Sequence, residues 1–117
     1  MGYLTTHVLD TANGCPGAAI RLAIKRIEAG QATILAETVT NDDGRCDEPL
    51  ISGDAFTAGQ YEIVFSVGEY FAGKREALDS PAFIDEVVIR FGVAQADEHY
   101  HVPLLVSPYG YSTYRGS

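Results

Sequence analysis

Ile20-Arg21-Leu22-Ala23-Ile24-Lys25-Arg26-Ile27-Glu28 is the stretch that decides the fold class. Ile20, Leu22 and Ile24 fall on one side of an extended chain, with Arg21 and Lys25 on the other, which is the period of a half-buried strand. The alternation returns in Tyr61, Ile63, Phe65 and Val67 against Glu62 and Ser66, and in Val87, Ile89 and Phe91 against Glu86 and Arg90. Segment 32–40 is rich in Thr, Val and Ile, as strands are. Segments 3–10, 98–106 and 110–115 read the same way, and a short strand is expected near 46–50. Turn signals separate them at Asn13-Gly14-Cys15-Pro16-Gly17, Glu28-Ala29-Gly30-Gln31, Asn41-Asp42-Asp43-Gly44 and Ser107-Pro108-Tyr109-Gly110. A single short helix is expected at Glu69–Lys74, limited by Gly68 and Gly73. The pattern predicts an all-β protein, an antiparallel β-sandwich of about seven to eight strands with one short helix.

The length of 117 residues suits one domain spanning 1–117, with no linker, repeat or low-complexity tract. Hydrophobic residues at 46% and charged residues at 21% exclude a disordered chain and allow a core without staples. Acidic residues outnumber basic ones by 16 to 8, and the basic residues are scattered. That argues against nucleic acid or an anionic membrane as partner, because phosphate neutralisation needs clustered Lys and Arg. No stretch is long and apolar enough to span a bilayer. Met1 to His7 lacks the basic start and apolar run of a secretory leader, which predicts a cytoplasmic protein. Cys15 and Cys46 form no CxxC pair, and free thiols are expected.

Chemistry is concentrated in a few residues. The chain has three histidines, His7, His99 and His101. A strand points residues i and i+2 to one face, so His99 and His101 share a side. Two imidazoles on one face also resemble half of a tris-histidine zinc site, with His7 as a third ligand, although no sequence feature supplies the carboxylates such a site would want. His99 follows the polar Asp97-Glu98 and reads as a solvated histidine at a strand start. His101 sits inside an apolar run with Pro103 and Leu105 on its face, and His7 shares its face with Leu9. Two partly buried histidines in different strands form a candidate acid–base pair, because imidazole titrates near neutrality. Arg45, after Asp42-Asp43-Gly44, taken alone reads as a surface arginine. Residues 109–117 hold three tyrosines and an arginine, which predicts an end that is packed down, with Ser112 and Tyr114 on one face. No nucleophile elbow, catalytic-cysteine context or phosphate-cradling glycine loop is present.

Three segments together resemble a known family. They are Leu4-Thr5-Thr6-His7-Val8-Leu9-Asp10-Thr11, Asn41-Asp42-Asp43-Gly44-Arg45, and His99-Tyr100-His101-Val102-Pro103-Leu104-Leu105 continuing to Tyr111-Ser112-Thr113-Tyr114-Arg115-Gly116-Ser117. The chain closely resembles the 5-hydroxyisourate hydrolases of the transthyretin-related family over essentially its whole length, and the terminal Tyr-Arg-Gly-Ser is the most specific part. The resemblance implies a transthyretin-like sandwich and a homotetramer, a dimer of dimers, with active sites at the dimer–dimer interface. It implies ring-opening hydrolysis of 5-hydroxyisourate in urate (purine) degradation, without metal or cofactor. It assigns catalysis to His7, His101 and Arg45, and substrate binding to Arg45, Tyr114, Ser112, Arg115 and Ser117. The rival reading is a non-catalytic carrier with a small ligand in a central channel. Titratable groups where a carrier would want apolar pockets count against it.

Overall fold

The computed structural model describes residues 2–74 and 79–116. In chain order the elements are β1 (Tyr3–Asp10), β2 (Cys15–Pro16), β3 (Arg21–Glu28), β4 (Gln31–Val39), β5 (Ile51–Ser52), a 3-10 turn (Gly53–Ala55), β6 (Gly59–Phe65), α1 (Val67–Ala72), β7 (Val87–Val93), β8 (His99–Ser107) and β9 (Gly110–Thr113). One sheet runs β4-β3-β6-β7. The other runs β2-β1-β8-β9, with β5 also pairing β1. The sandwich expected from the alternating stretches is therefore present.

The details differ from expectation in instructive ways. The pair β1–β8 is parallel, whereas every other strand pair is antiparallel. Alternation within a strand carries no information about its neighbour's direction, so only the folded chain decides this. The short strand expected at 46–50 forms at Ile51–Ser52 instead, after Pro49, whose nitrogen has no hydrogen to donate to a ladder. α1 begins two residues before the expected Glu69, because Val67 turns its side chain into the core. Cys15–Pro16, expected in a loop, pairs with the end of β1.

Each sheet buries one face. On β1, Leu4, Thr6, Val8 and Asp10 point inward, and on β8 Tyr100, Val102, Leu104 and Val106 do so. They meet Leu22, Ile24, Tyr61, Ile63, Phe65 and Val87 of the second sheet. The odd-numbered residues of β1 and most of those of β8 are left on the outer face, half-buried. That face carries the histidines.

Asp10 is the buried charge that ties down the end of β1, with only 1% of its surface exposed. Its Oδ1 accepts hydrogen bonds from the amides of Ala12 and Asn13, both at 3.0 Å, and its Oδ2 accepts from Asn13 Nδ2 and the Tyr70 hydroxyl, both at 2.7 Å. Burial by itself raises the Asp10 carboxyl, but these donors outweigh it and hold the group below its ordinary value. Tyr70→Phe removes one donor from a buried carboxylate and is expected to cost about 1.5–3 kcal/mol, read from the urea midpoint at constant slope. The Asp10 contribution is fully present above the unfolded-state value of 3.8 and is lost as pH falls through the lower folded value. The variant's deficit should accordingly shrink in acid.

Candidate active site

The turn Asn41-Asp42-Asp43-Gly44 delivers Arg45 to β1. Asn41 Oδ1 accepts from the amides of Asp43 (2.9 Å) and Arg45 (3.1 Å), and the Gly44 amide donates to the Asn41 carbonyl at 2.9 Å. Gly44 then lies flat against β1. The Val8 amide donates to its carbonyl at 2.8 Å, its φ is +77°, and a Cβ at this position would collide with the Val8 carbonyl oxygen. Glycine is required here by both conformation and close approach, beyond the needs of a turn. The result is an antiparallel bridge between Arg45 and His7.

Parallel pairing of β1 with β8 sets the rest. Tyr3 lies opposite His99, Thr5 opposite His101, and His7 opposite Pro103. Because odd residues of both strands face outward, Thr5, His99 and His101 gather beside Arg45 in a cleft of about 530 Å³, with Asp47 and Glu48 also on its wall. His7 Nε2 is 2.9 Å from the Asp43 carbonyl. A carbonyl only accepts, so this nitrogen carries a hydrogen, and in the neutral ring the lone pair is on Nδ1. His101 Nδ1 is 2.8 Å from Thr5 Oγ1, and its Nε2 has no partner among the described residues. Among the described residues each of the two expected catalytic histidines thus has one anchored ring nitrogen and one without a partner.

Burial pushes the His101 imidazole below its ordinary value, and the nearby Arg45 charge, with His99 and His7, adds to the effect. A depressed imidazole is neutral at pH 7, which is the form a general base needs. Among the described residues Arg45 makes no ion pair, so its guanidinium fork is unspent. It is the fixed positive charge in a cleft of an otherwise acidic protein.

His99 departs from its expected solvated state. Its ring stacks on Tyr3 with centroids 4.1 Å apart, and its Nε2 lies 2.8 Å from the Thr5 hydroxyl. The polar turn ends before it, and β8 begins at His99 with Tyr3 as its parallel partner. The His99 and His101 rings are 6.1 Å apart with the Thr5 hydroxyl bonded to both. Among the described residues no group of three His, Cys, Asp or Glu has metal-binding geometry. Thr5 was legible as sharing the face of His7, two residues away, but its pairing with two histidines needed the β1–β8 register.

The C-terminal residues take other positions. Gly116 donates its amide to the His101 carbonyl at 2.7 Å, and a Cβ there would press on the His101 ring, so the chain end packs against this histidine. Arg115 Nη2 donates to Glu98 Oε1 (3.0 Å) and the His99 carbonyl (3.3 Å), and its guanidinium lies 3.9 Å over the Tyr100 ring. Tyr114 lines a separate hollow of about 250 Å³ with Phe91 and Val102 and is 61% exposed. Ser112, on β9 beyond β8, pairs with Leu105 of β8. That puts it two strands, about 10 Å, from β1. Ser117 lies outside the described residues. Within one chain the cleft therefore brings Arg45 and His101 together, His7 is bridged to Arg45 without lining that cleft, and Ser112, Tyr114 and Arg115 lie outside it.

The family model described as "HIUase/Transthyretin family" matches residues 4–116. The chain is 56% identical over 117 residues to a 5-hydroxyisourate hydrolase of Pseudomonas aeruginosa, covering 100% of this chain and 93% of the relative. A crystal structure of (S)-allantoin synthase is similar with a TM-score of 0.93 and 50% identity over 99% of this chain, which spans 44% of that longer chain. The structure of Klebsiella pneumoniae 5-hydroxyisourate hydrolase is similar with a TM-score of 0.78 and 34% identity, covering 100% of both chains. With the family match over residues 4–116 and 56% identity along the whole of this chain, the chain belongs to the HIUase/Transthyretin family.

Proposed function

We propose that the protein hydrolyses 5-hydroxyisourate. Water adds across a ring amide-type C–N bond, giving 2-oxo-4-hydroxy-4-carboxy-5-ureidoimidazoline, with the water's hydroxyl on carbon and its proton on the released nitrogen. The observation that carries this reading is the cleft joining Arg45 to His101, with His7 bridged to Arg45, in a chain this similar to proteins named for that reaction. The substrate is flat and rich in carbonyl oxygens. Arg45 offers them a planar pair of donors and offsets charge that develops on oxygen as water attacks. His7 and His101 hold the water and exchange its proton, one as base and the other as acid or polariser, each through its unengaged nitrogen. No cofactor is needed to open an activated amide.

Ser112 and Tyr114 reach substrate in this proposal only from a second copy of the chain, in a homotetramer built as a dimer of dimers. The half-buried outer face of β1 and β8, carrying Leu9 and Leu105 beside the histidines, supports that arrangement. Light scattering after gel filtration should return four times the 12.6 kDa chain mass. The decisive assay follows decay of freshly generated 5-hydroxyisourate. Faster decay with enzyme is the expected result, whereas binding without turnover would identify a carrier.

A further inference from the structure

We propose that Thr5 is a positioning residue whose single hydroxyl proton makes His99 and His101 adopt the same tautomer. The proposal rests on the hydrolase reading for its consequence in catalysis, but its geometry stands independently. Thr5 Oγ1 lies 2.8 Å from His99 Nε2 and 2.8 Å from His101 Nδ1, with no third partner among the described residues. A hydroxyl has one proton to donate. When that proton is given to one of the two facing nitrogens, the other nitrogen must donate to Thr5.

With neutral rings, two arrangements keep the hydroxyl's proton between them, whereas two rings both donating to Thr5 would carry opposite tautomers, the outcome that overturns the proposal. In the first, His101 Nδ1–H donates to Thr5, Thr5 donates to His99 Nε2, and His99 carries its proton on Nδ1. In the second, His99 Nε2–H donates to Thr5, Thr5 donates to His101 Nδ1, and His101 carries its proton on Nε2. Both rings are Nδ1–H in the first and both are Nε2–H in the second. The first leaves a lone pair on the unengaged Nε2 of His101, as a base requires. The second puts a proton there, as an acid requires. Thr5 thus links the role His101 can play to the state of a histidine that is not itself assigned to catalysis.

The surroundings hold this chain of three groups in place. Tyr3 stacks on His99, and Gly116 packs against the Cδ2 edge of His101. Among the described residues the charged or titratable groups around His101 are His99 on its own strand, Tyr3 and His7 on β1 and Arg45 from the turn, with Cys46, Asp47 and Glu48 on the cleft wall.

The test compares the intact protein with Thr5→Val, which keeps shape and loses the hydroxyl, and Thr5→Ser, which keeps the hydroxyl. Proton–nitrogen correlation spectra of the imidazole rings should show His99 and His101 in the same tautomer in the wild type and in Thr5→Ser, and uncoupled in Thr5→Val. With 5-hydroxyisourate, Thr5→Val should lose about 10–100-fold in kcat, with KM within about twofold and Thr5→Ser near wild type, the size expected for a group that orients a reacting ligand. The pH profile of Thr5→Val should also shift, which a packing defect alone would not cause. Opposite tautomers in the wild type overturn the proposal, as does a Thr5→Val protein with unchanged tautomers and kcat. Should Thr5→Val fail to fold, the wild-type and Thr5→Ser tautomers decide alone. A wild type that leaves 5-hydroxyisourate untouched removes the hydrolase reading, while the spectra still judge the coupling.

Discussion

Replacing His101 with alanine lowers kcat for 5-hydroxyisourate by about 10²–10⁴-fold, the range for losing a positioned acid–base group. The ring has one nitrogen anchored to Thr5 and one unengaged, and it shares the cleft with Arg45. His7→Ala is expected in the same range, since His7 is anchored to the Asp43 carbonyl in the same way and bridged to Arg45. Steady-state kinetics, with gel filtration to show that assembly is unchanged, check both. Near-normal turnover in either variant refutes its assignment. The pH dependence has a defined sign. Burial, then Arg45, holds the His101 imidazole below 6.5. With neutral His101 as the working form, kcat/KM falls as the ring takes up a proton, with the midpoint of that acid limb below 6.5.

Arg45→Ala is expected to lower kcat by about 10²–10³-fold, the loss measured when one preorganised donor to a developing oxyanion is removed. Arg45→Lys should recover little of it, because an ammonium cannot reproduce two parallel donors in a plane. A second readout separates lost catalysis from general damage. Arg45 is among the charges that depress His101, so the acid limb of the Arg45→Ala profile should move up towards the ordinary imidazole value. An unchanged limb would show that Arg45 does not act on His101 electrostatically. Wild-type kinetics in Arg45→Lys would refute the two-pronged role.

Much of this was legible in the residues. The two-residue period of Ile20, Leu22 and Ile24, and of Tyr61, Ile63 and Phe65, reports burial on one face, which depends only on local geometry. The same rule placed His7 with Leu9, and His101 with Pro103 and Leu105, on a shared face of each strand, and the fold showed that face to be the outer one. The roles of Arg45 and the terminal Tyr-Arg-Gly-Ser came from resemblance, since nothing in Asp42-Asp43-Gly44-Arg45 alone separates a site arginine from a surface one.

What a strand pattern cannot encode is which strand lies beside it, in which direction and at what register. Those depend on side chains about 95 residues apart in sequence meeting across a sheet, as Thr5 and His101 do. Sequence by itself therefore determined the sandwich, which residues share a face of each strand and the residue types available for chemistry. Tertiary structure alone decided that β1 and β8 run parallel, that Thr5 lies between two histidines, that Gly44 presses Arg45 onto β1, and that Arg115 clamps to Glu98 and Tyr100. Local periodicity sets what each segment can bury, whereas contacts between distant segments are set by the packing of the whole core.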